Sequence, residues 1–412
     1  MRAMQPRPHN LPRRSLSDAL RHAEHAYLRA AADAARSVDA LVAAHPSSLR
    51  AHLLKIAQLV AAKDAAALPA LERALRAAAP LEESASPQEL AHLQAARAWL
   101  AREPLRAAKI YTQLVTEGEG DADAVALRLA QSCWYFLGRR MHLRAVAEHA
   151  LEVWTPERSD FDAVLAMAAF GAAETNDGAR AEELARISLD IEPRSPFAIH
   201  ALAHALAIQD RVADGARELR ALAAHWRVGG RMDGHIGWHG AVFDLETGDA
   251  AAALAAFDRE QLPAAALDAG GCADATDLLW RLELAGVDLG QRWQTLATAW
   301  KRHLKPGFWS FLDLLAGLAL LRAGRRDEAC ALTHELVLAP EANGVVSPVL
   351  ATVPALAALE AFGRGAYADA SRGFAKAVPR LGGSLPQREL LALTQRVANE
   401  RAAERTAIPA AA

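Results

Sequence analysis

The sequence predicts an all-α fold: a right-handed α-solenoid of stacked helical hairpins, curved around a central pocket. Three observations predict it. Alanine, the strongest helix former, dominates the chain from end to end. Apolar residues recur at helical spacing and nowhere alternate as a half-buried strand would. Acidic or glycine-containing turns and prolines punctuate the middle of the chain every ~34–36 residues, the interval of a two-helix repeat. The chain has 412 residues, 52% of them hydrophobic and 6% aromatic, which is too long for one compact core but suits an array in which each unit packs on its neighbours.

In chain order, residues 1–14 are rich in proline and arginine, lack an apolar period, and read as a disordered arm. A single domain is expected over 15–405, with 406–412 as a frayed tail. Residues 15 to about 44 read as one helix capped by Ser15 or Ser17. Residues 49–80 form a helical pair split near Lys63 and Asp64, and 80–87 a loop. QELAHLQAARAWLARE pairs with LRAAKIYTQLVTEG, and AVALRLAQSCWYFLGRR with MHLRAVAEHALEVW, which stops at Pro156. FDAVLAMAAFGAAETND and GARAEELARISLDIEPRSP make the clearest hairpin. Its turn, Glu174 through Asp177, recurs at Ala207 through Arg211 and at Glu246 through Asp249, a tetratricopeptide-like period. Beyond Pro263 the rhythm loosens, although three further pairs are discernible. Gly229-Gly230 and Gly382-Gly383 read as turns, and the segment from Gly382 onward reads as a polar helix capping the stack.

Charge and cysteine usage exclude several functions. The net charge of −3 favours neither nucleic acid nor an anionic membrane as partner. Cys133, Cys272 and Cys330 are scattered without a CxxC, which argues against a disulfide framework or a zinc ribbon and fits the cytoplasm. The basic start has no apolar core of a secretory signal, and no apolar run approaches the ~18 residues of a membrane span. There is no Walker A motif, no GxSxG and no Cys–His constellation.

The chemistry concentrates in 196–249. His200 and His204 are four residues apart, as are His235 and His239, so each pair presents two rings to one helix face. Helices one repeat apart lie side by side in a solenoid, so all four rings are expected on one wall. Neutral imidazole is the commonest metal ligand, which makes this set the candidate site for a divalent transition metal and for acid–base catalysis. The competing reading is hydrogen-bonded histidines between alanine-rich helices. HExxH is absent, because the motifs read HALAH and HIGWH, so a catalytic acid must come from elsewhere. Glu174 and Asp274 are the candidates, with turn and cap chemistry as their ordinary alternative. Trp238, Asp274, Arg281 and Arg388 complete the candidate set as substrate contacts, and Trp280, Trp293 and Trp309 read as core.

SPFAIHALAHAL, HIGWHGAVFDLETGD and DATDLLWRLELAGVDLGQRW resemble the tetratricopeptide repeat protein 38 family, as do AHLQAARAWLARE, AMAAFGAAETND and GGSLPQRE over about 45–395. The resemblance implies an all-helical cytosolic repeat protein and little about activity. The match holds at His200, His204, His235, His239, Glu174, Asp274, Arg281 and Arg388. It fails at Ala207, where the family has an acid, and at Leu315 and Leu385, where it has histidines. If the family's histidines surround one cavity, this chain keeps one wall polar and makes the other apolar. The expected function is a small-molecule, metal-assisted enzyme of specialised metabolism, with oxidation favoured and hydrolysis as the second chemistry that suits the site. The alternative is a non-catalytic scaffold for a peptide or partner protein, which should show an open polar groove.

Overall fold

A computed structural model describes residues 15–117, 123–266, 268–340, 344–345, 347, 349–377 and 384–407. The expected arm at 1–14, the Gly382-Gly383 turn and residues 408–412 of the expected tail lie outside them. All regular structure among the described residues is helical, and no strand occurs among them. None of these helices is long and apolar enough to cross a membrane.

The hairpins share one turn geometry. Pro87–Leu100 packs on Pro104–Thr116, Ala124–Phe136 on Arg140–Val153, Phe161–Glu174 on Gly178–Ile191, and Pro196–Ile208 on Val212–Ala221. Each first helix ends in a residue with positive φ, as at Arg102, Gly138, Asn176, Asp210 and Gly248. The following amide reaches back five residues to close the helix, as in Asp177 N–H to Ala172 O at 3.0 Å and Arg211 N–H to Leu206 O at 3.0 Å. This is the Schellman ending, which satisfies carbonyls that the helix terminus would otherwise leave bare.

The first helix of each hairpin forms an inner layer. Phe161–Glu174, Pro196–Ile208, Asp233–Glu246, Ala269–Leu284 and Ser310–Arg322 contact one another in succession. They are buried on nearly every face, whereas a second helix such as Val212–Ala221 buries only the stripe of Gly215, Ala216 and Leu219. Alanine makes this possible, because it lets helix axes approach closely while keeping full helix propensity. The main apolar core runs without interruption from Ala23 to Ala398.

The array bends until distant repeats touch. The Arg102 guanidinium donates to Gly307 O at 2.7 Å and Phe308 O at 3.2 Å, across about half the chain. Phe308 packs against Trp99 and Phe136, and Trp309 against Phe136 and Tyr135. On the other side Arg29 pairs with Asp162, and Arg128 donates to Tyr27 O at 2.6 Å and Leu28 O at 3.0 Å.

Two local readings of the sequence need correction, and two further features go beyond what it marked. The single helix expected over 15–44 is two, Leu16–Leu28 and Ala34–Ala44. The first closes at Ala30 (φ 54°) with Ala31 N–H bonded to Ala26 O, and the run of alanines carries no glycine or proline to mark the stop. Within the loop expected at 80–87, Ala79–Ser84 is a 3₁₀ helix, followed by a capping box between Ser86 and Glu89. Ala250–Ala256 runs on through a π-helical turn, Phe257–Gln261, before Pro263. The last helix, Leu385–Ala407, does more than cap the end: it packs on Ala269–Leu284 and reaches Pro196–Ile208. Leu390, Leu391, Thr394 and Ala398 form its buried face.

Candidate functional site

Two inner helices carry the histidines. The first, Pro196–Ile208, opens with Ser195 as N-cap, its hydroxyl accepting from Ala198 N–H at 3.3 Å, and with proline in its first turn. The second, Asp233–Glu246, is interrupted by glycines. At Gly237 a β-carbon would stand 2.3 Å from Glu260 Oε2, the tip of a flexible side chain from the π-helical turn, which would have to swing aside. Gln261 of that turn donates to Gly234 O at 2.8 Å and fixes the start of the helix.

The four rings meet. The centroids of His200 and His204 are 4.4 Å apart, of His204 and His239 4.6 Å, of His200 and His235 4.8 Å, and of His235 and His239 5.1 Å. One nitrogen from each ring can be chosen so that all four lie within 4.8 Å of one another. Two nitrogens bound at ~2.0–2.1 Å to a tetrahedral ion stand about 3.3 Å apart, so the set needs only a modest contraction to close on one.

The hydrogen bonding around them is incomplete. His235 Nδ1 lies 2.8 Å from Asp274 Oδ2 and its Nε2 3.0 Å from His200 Nε2. An imidazole that gives Nδ1–H to a carboxylate presents Nε2 as a lone pair. His200 Nε2–H then donates to it, which leaves His200 Nδ1 bare. That atom is buried without a hydrogen-bond partner, as are both nitrogens of His204 and Nε2 of His239. A buried polar atom left unpaired costs ~1–3 kcal/mol, so packing alone is an expensive explanation for this arrangement. Burial first, and then the neighbouring imidazoles, hold His200 and His239 well below the usual histidine range and bring His204 down to about 3. Neutral rings are the ligating form. The donor set therefore fits a divalent transition metal, with Asp274 as the carboxylate that orients His235.

The remaining candidates stand around this cluster in distinct places. Glu174 is fully buried, with Oε1 3.6 Å from His204 Nδ1 and Oε2 3.6 Å from Arg388 Nη2, and accepts Leu385 N–H at 3.1 Å. Burial outweighs Arg388 and raises its carboxyl to about 7. Trp238 stacks on His235 at 5.4 Å and gives its indole N–H to Asp277 at 3.0 Å. Arg281 donates to the same Asp277 oxygen at 2.7 Å and lies 3.6 Å from Glu246. A cavity of about 760 Å³ opens on His200, His204, His235 and Asp274. Of the expected substrate contacts, Asp274 lines the cavity, while Trp238 and Arg281 engage Asp277 and Arg388 stands near Glu174, behind that wall. His239 also sits behind it, 2% exposed.

Sequence reasoning missed the opposite wall. Tyr135, Phe170, Trp309, Lys63 and Arg128 line the cavity. They come from elements far apart in the chain, and no local motif marks them. Asp277, which ties Trp238 to Arg281, was equally unmarked, although its i, i+4 spacing to Arg281 is a legible helix pair.

No family model matches the chain. Among solved structures it is similar to human IFIT1 dimer with PPP-AAAA, at 14% identity and a TM-score of 0.48, covering 95% of this chain and 92% of that one. It is similar also to Rap protein complexed with competence and sporulation factor, at 11% identity and a TM-score of 0.45, covering 78% and 97%. A third is the Cut9–Hcn1 hetero-tetramer, at 14% identity and a TM-score of 0.41, covering 84% and 62%.

Proposed function

We propose that this protein is a small-molecule enzyme whose cavity holds one divalent transition metal ion on His200, His204, His235 and His239. The observation that carries the reading is the convergence of four imidazoles, three buried and His235 half-buried, of whose eight nitrogens four are buried without a partner. A bound ion would supply Lewis acidity and, if redox-active, the electron transfer of an oxidative reaction, which we favour over hydrolysis. The chain's own residues have defined parts. Asp274 holds the His235 tautomer and ring orientation. Glu174, a buried carboxyl with its pKa brought near neutrality, is the group suited to take up or give back a proton beside His204. Trp238 and Asp277 brace the second histidine helix from behind.

A scaffold for a peptide or partner protein is the competing reading. It calls for an open polar groove, whereas alanine, aromatic rings and histidine make up just over half of this cavity's lining, with Lys63, Arg128 and Arg231 as its cations. We also assign the chain, on the motifs around both histidine pairs and LLWRLEL, to a divergent branch of the tetratricopeptide repeat protein 38 family. Three unpaired cysteines accord with a cytoplasmic setting. The test is metal affinity. Wild type should bind one ion per chain, His235→Ala should lose it, and Asp274→Asn should weaken it roughly 10- to 100-fold while leaving the helical content unchanged. A wild type that takes up no ion, or an Asp274→Asn protein with undiminished affinity, removes the reading.

A further inference from the structure

The cavity has a second chemical end. Lys63 and Arg128 both line it, and neither has a carboxylate partner among the described residues. Lys63 Nζ reaches only Ala61 O at 3.1 Å and the face of Tyr135 at 5.5 Å. Arg128 reaches the carbonyls of Tyr27 and Leu28, the Tyr27 side chain, and the faces of Tyr27 (4.5 Å) and Phe197 (4.1 Å). The carboxylates on the cavity wall are committed elsewhere: Asp64 caps Ala66 N–H, Asp268 takes Gly271 N–H and Arg231, and Asp274 holds His235. Two cations with no counter-ion in a partly buried space are costly unless an anion joins them. Burial, followed by the like charges of Arg231 and Arg128, brings the Lys63 ammonium down to about 8, so the cost is already visible and most Lys63 is still charged at neutral pH.

The backbone at Lys63 has φ 51°, the left-handed conformation that also closes the hairpins at Arg102, Asn176 and Asp210, so glycine fits the same turn without its side chain.

An aromatic wall joins the two ends. Tyr135, on which Lys63 sits, packs 6.0 Å from Phe170 and 5.7 Å from Trp309, and Phe170 lies 5.5 Å from His200 and 5.3 Å from His204. We infer that the cavity binds an organic anion with a flat, apolar body. Its carboxylate or phosphate sits between Lys63 and Arg128, and its rings or unsaturated chain lie along Tyr135 and Phe170 toward the histidines. This names the substrate class for the site proposed above and rests on that reading, but its test does not depend on the metal.

Calorimetric titration of the full chain, metal-loaded and metal-stripped, with 3-phenylpropionate, 3-phenylpropionamide, phenyl phosphate and inorganic phosphate makes the test. The acid or the phosphate ester should bind, whichever is favoured identifying the head group, and the neutral amide should bind roughly 10- to 100-fold more weakly. Lys63→Gly, which suits the left-handed turn, should weaken the anion by a similar factor without lowering the melting temperature, and Lys63→Arg should restore it. Binding of amide and acid alike, undiminished binding to Lys63→Gly, or no binding of any probe overturns the inference. Anion binding to a protein that takes up no metal would instead remove only the metal reading, and a bound metal with no preference for anions only this one.

Discussion

At the scale of single residues, the cost of burying charge explains more than any pairwise contact. Asp313 shows this away from the histidines. Its Oδ2 accepts Gly307 N–H at 3.2 Å, its Oδ1 has no partner, and burial raises its carboxyl from 3.8 to about 8 despite Arg102 nearby. A carboxyl whose folded pKa lies above its unfolded value contributes stability that is complete below about pH 4 and is lost as pH rises toward 8. The loss is bounded by ~1.4 kcal/mol per pH unit and amounts to several kcal/mol at most. Urea unfolding at pH 5 and pH 8 should therefore show Asp313→Asn losing less stability than wild type over that interval. Parallel losses in the two proteins would mean that Asp313 is ionised in the fold. The histidines were legible at this scale because an i, i+4 pair is local: HALAH and HIGWH put two rings on one face before any tertiary contact is known. Lys63 and Arg128 were not, because their significance lies in partners they lack, which only the folded chain reveals.

At the scale of elements, the helix that carries Asp274 depends on a small residue where neighbouring backbone comes close. Gly271, in the first turn of Ala269–Leu284, would place a β-carbon 2.3 Å from Ala264 O, the carbonyl of a rigid turn rather than a yielding side chain. Gly271→Ala should destabilise the fold by ~1–3 kcal/mol, seen as a lower melting temperature with a shifted position of Asp274 and weaker metal uptake. An unchanged melting temperature would show that the turn relaxes freely. Helix pairs and most of their ends were readable from prolines, caps and turn residues, as at Ser195-Pro196 and Asp177. The break at Ala30 was not, because alanine favours helix equally before and after the stop. Nor was the π-helical turn at Phe257–Gln261, whose Gln261 bonds to Gly234 O in the neighbouring helix, a tertiary contact that no local preference announces.

At the scale of the whole molecule, the array works as a bent wall rather than an open spiral. Its closure rests on a seam in which Arg102 binds Gly307 and Phe308, Phe308 wedges beside Trp99 and Phe136, and Trp309 meets Tyr135 on the cavity wall. Repeat arrays carry stability largely between neighbours, so loss of the seam should loosen the cavity without unfolding the hairpins. Arg102→Ala should keep its helical circular dichroism, gain hydrogen exchange at 307–311, and bind anions more weakly. Exchange unchanged at the seam would show that the aromatic contacts suffice. A hairpin period can be read from sequence, but the contact between segments some two hundred residues apart cannot, because bend angle accumulates from small packing differences at every repeat.

The most direct test of the central claim is X-ray absorption on the protein loaded with a single divalent transition metal, paired with elemental analysis. The account predicts one ion per chain with nitrogen neighbours at ~2.0–2.1 Å, and fewer such neighbours with reduced occupancy in a His200→Ala, His239→Ala double variant. An ion ligated mainly by oxygen, or occupancy unaffected by that double substitution, would contradict it.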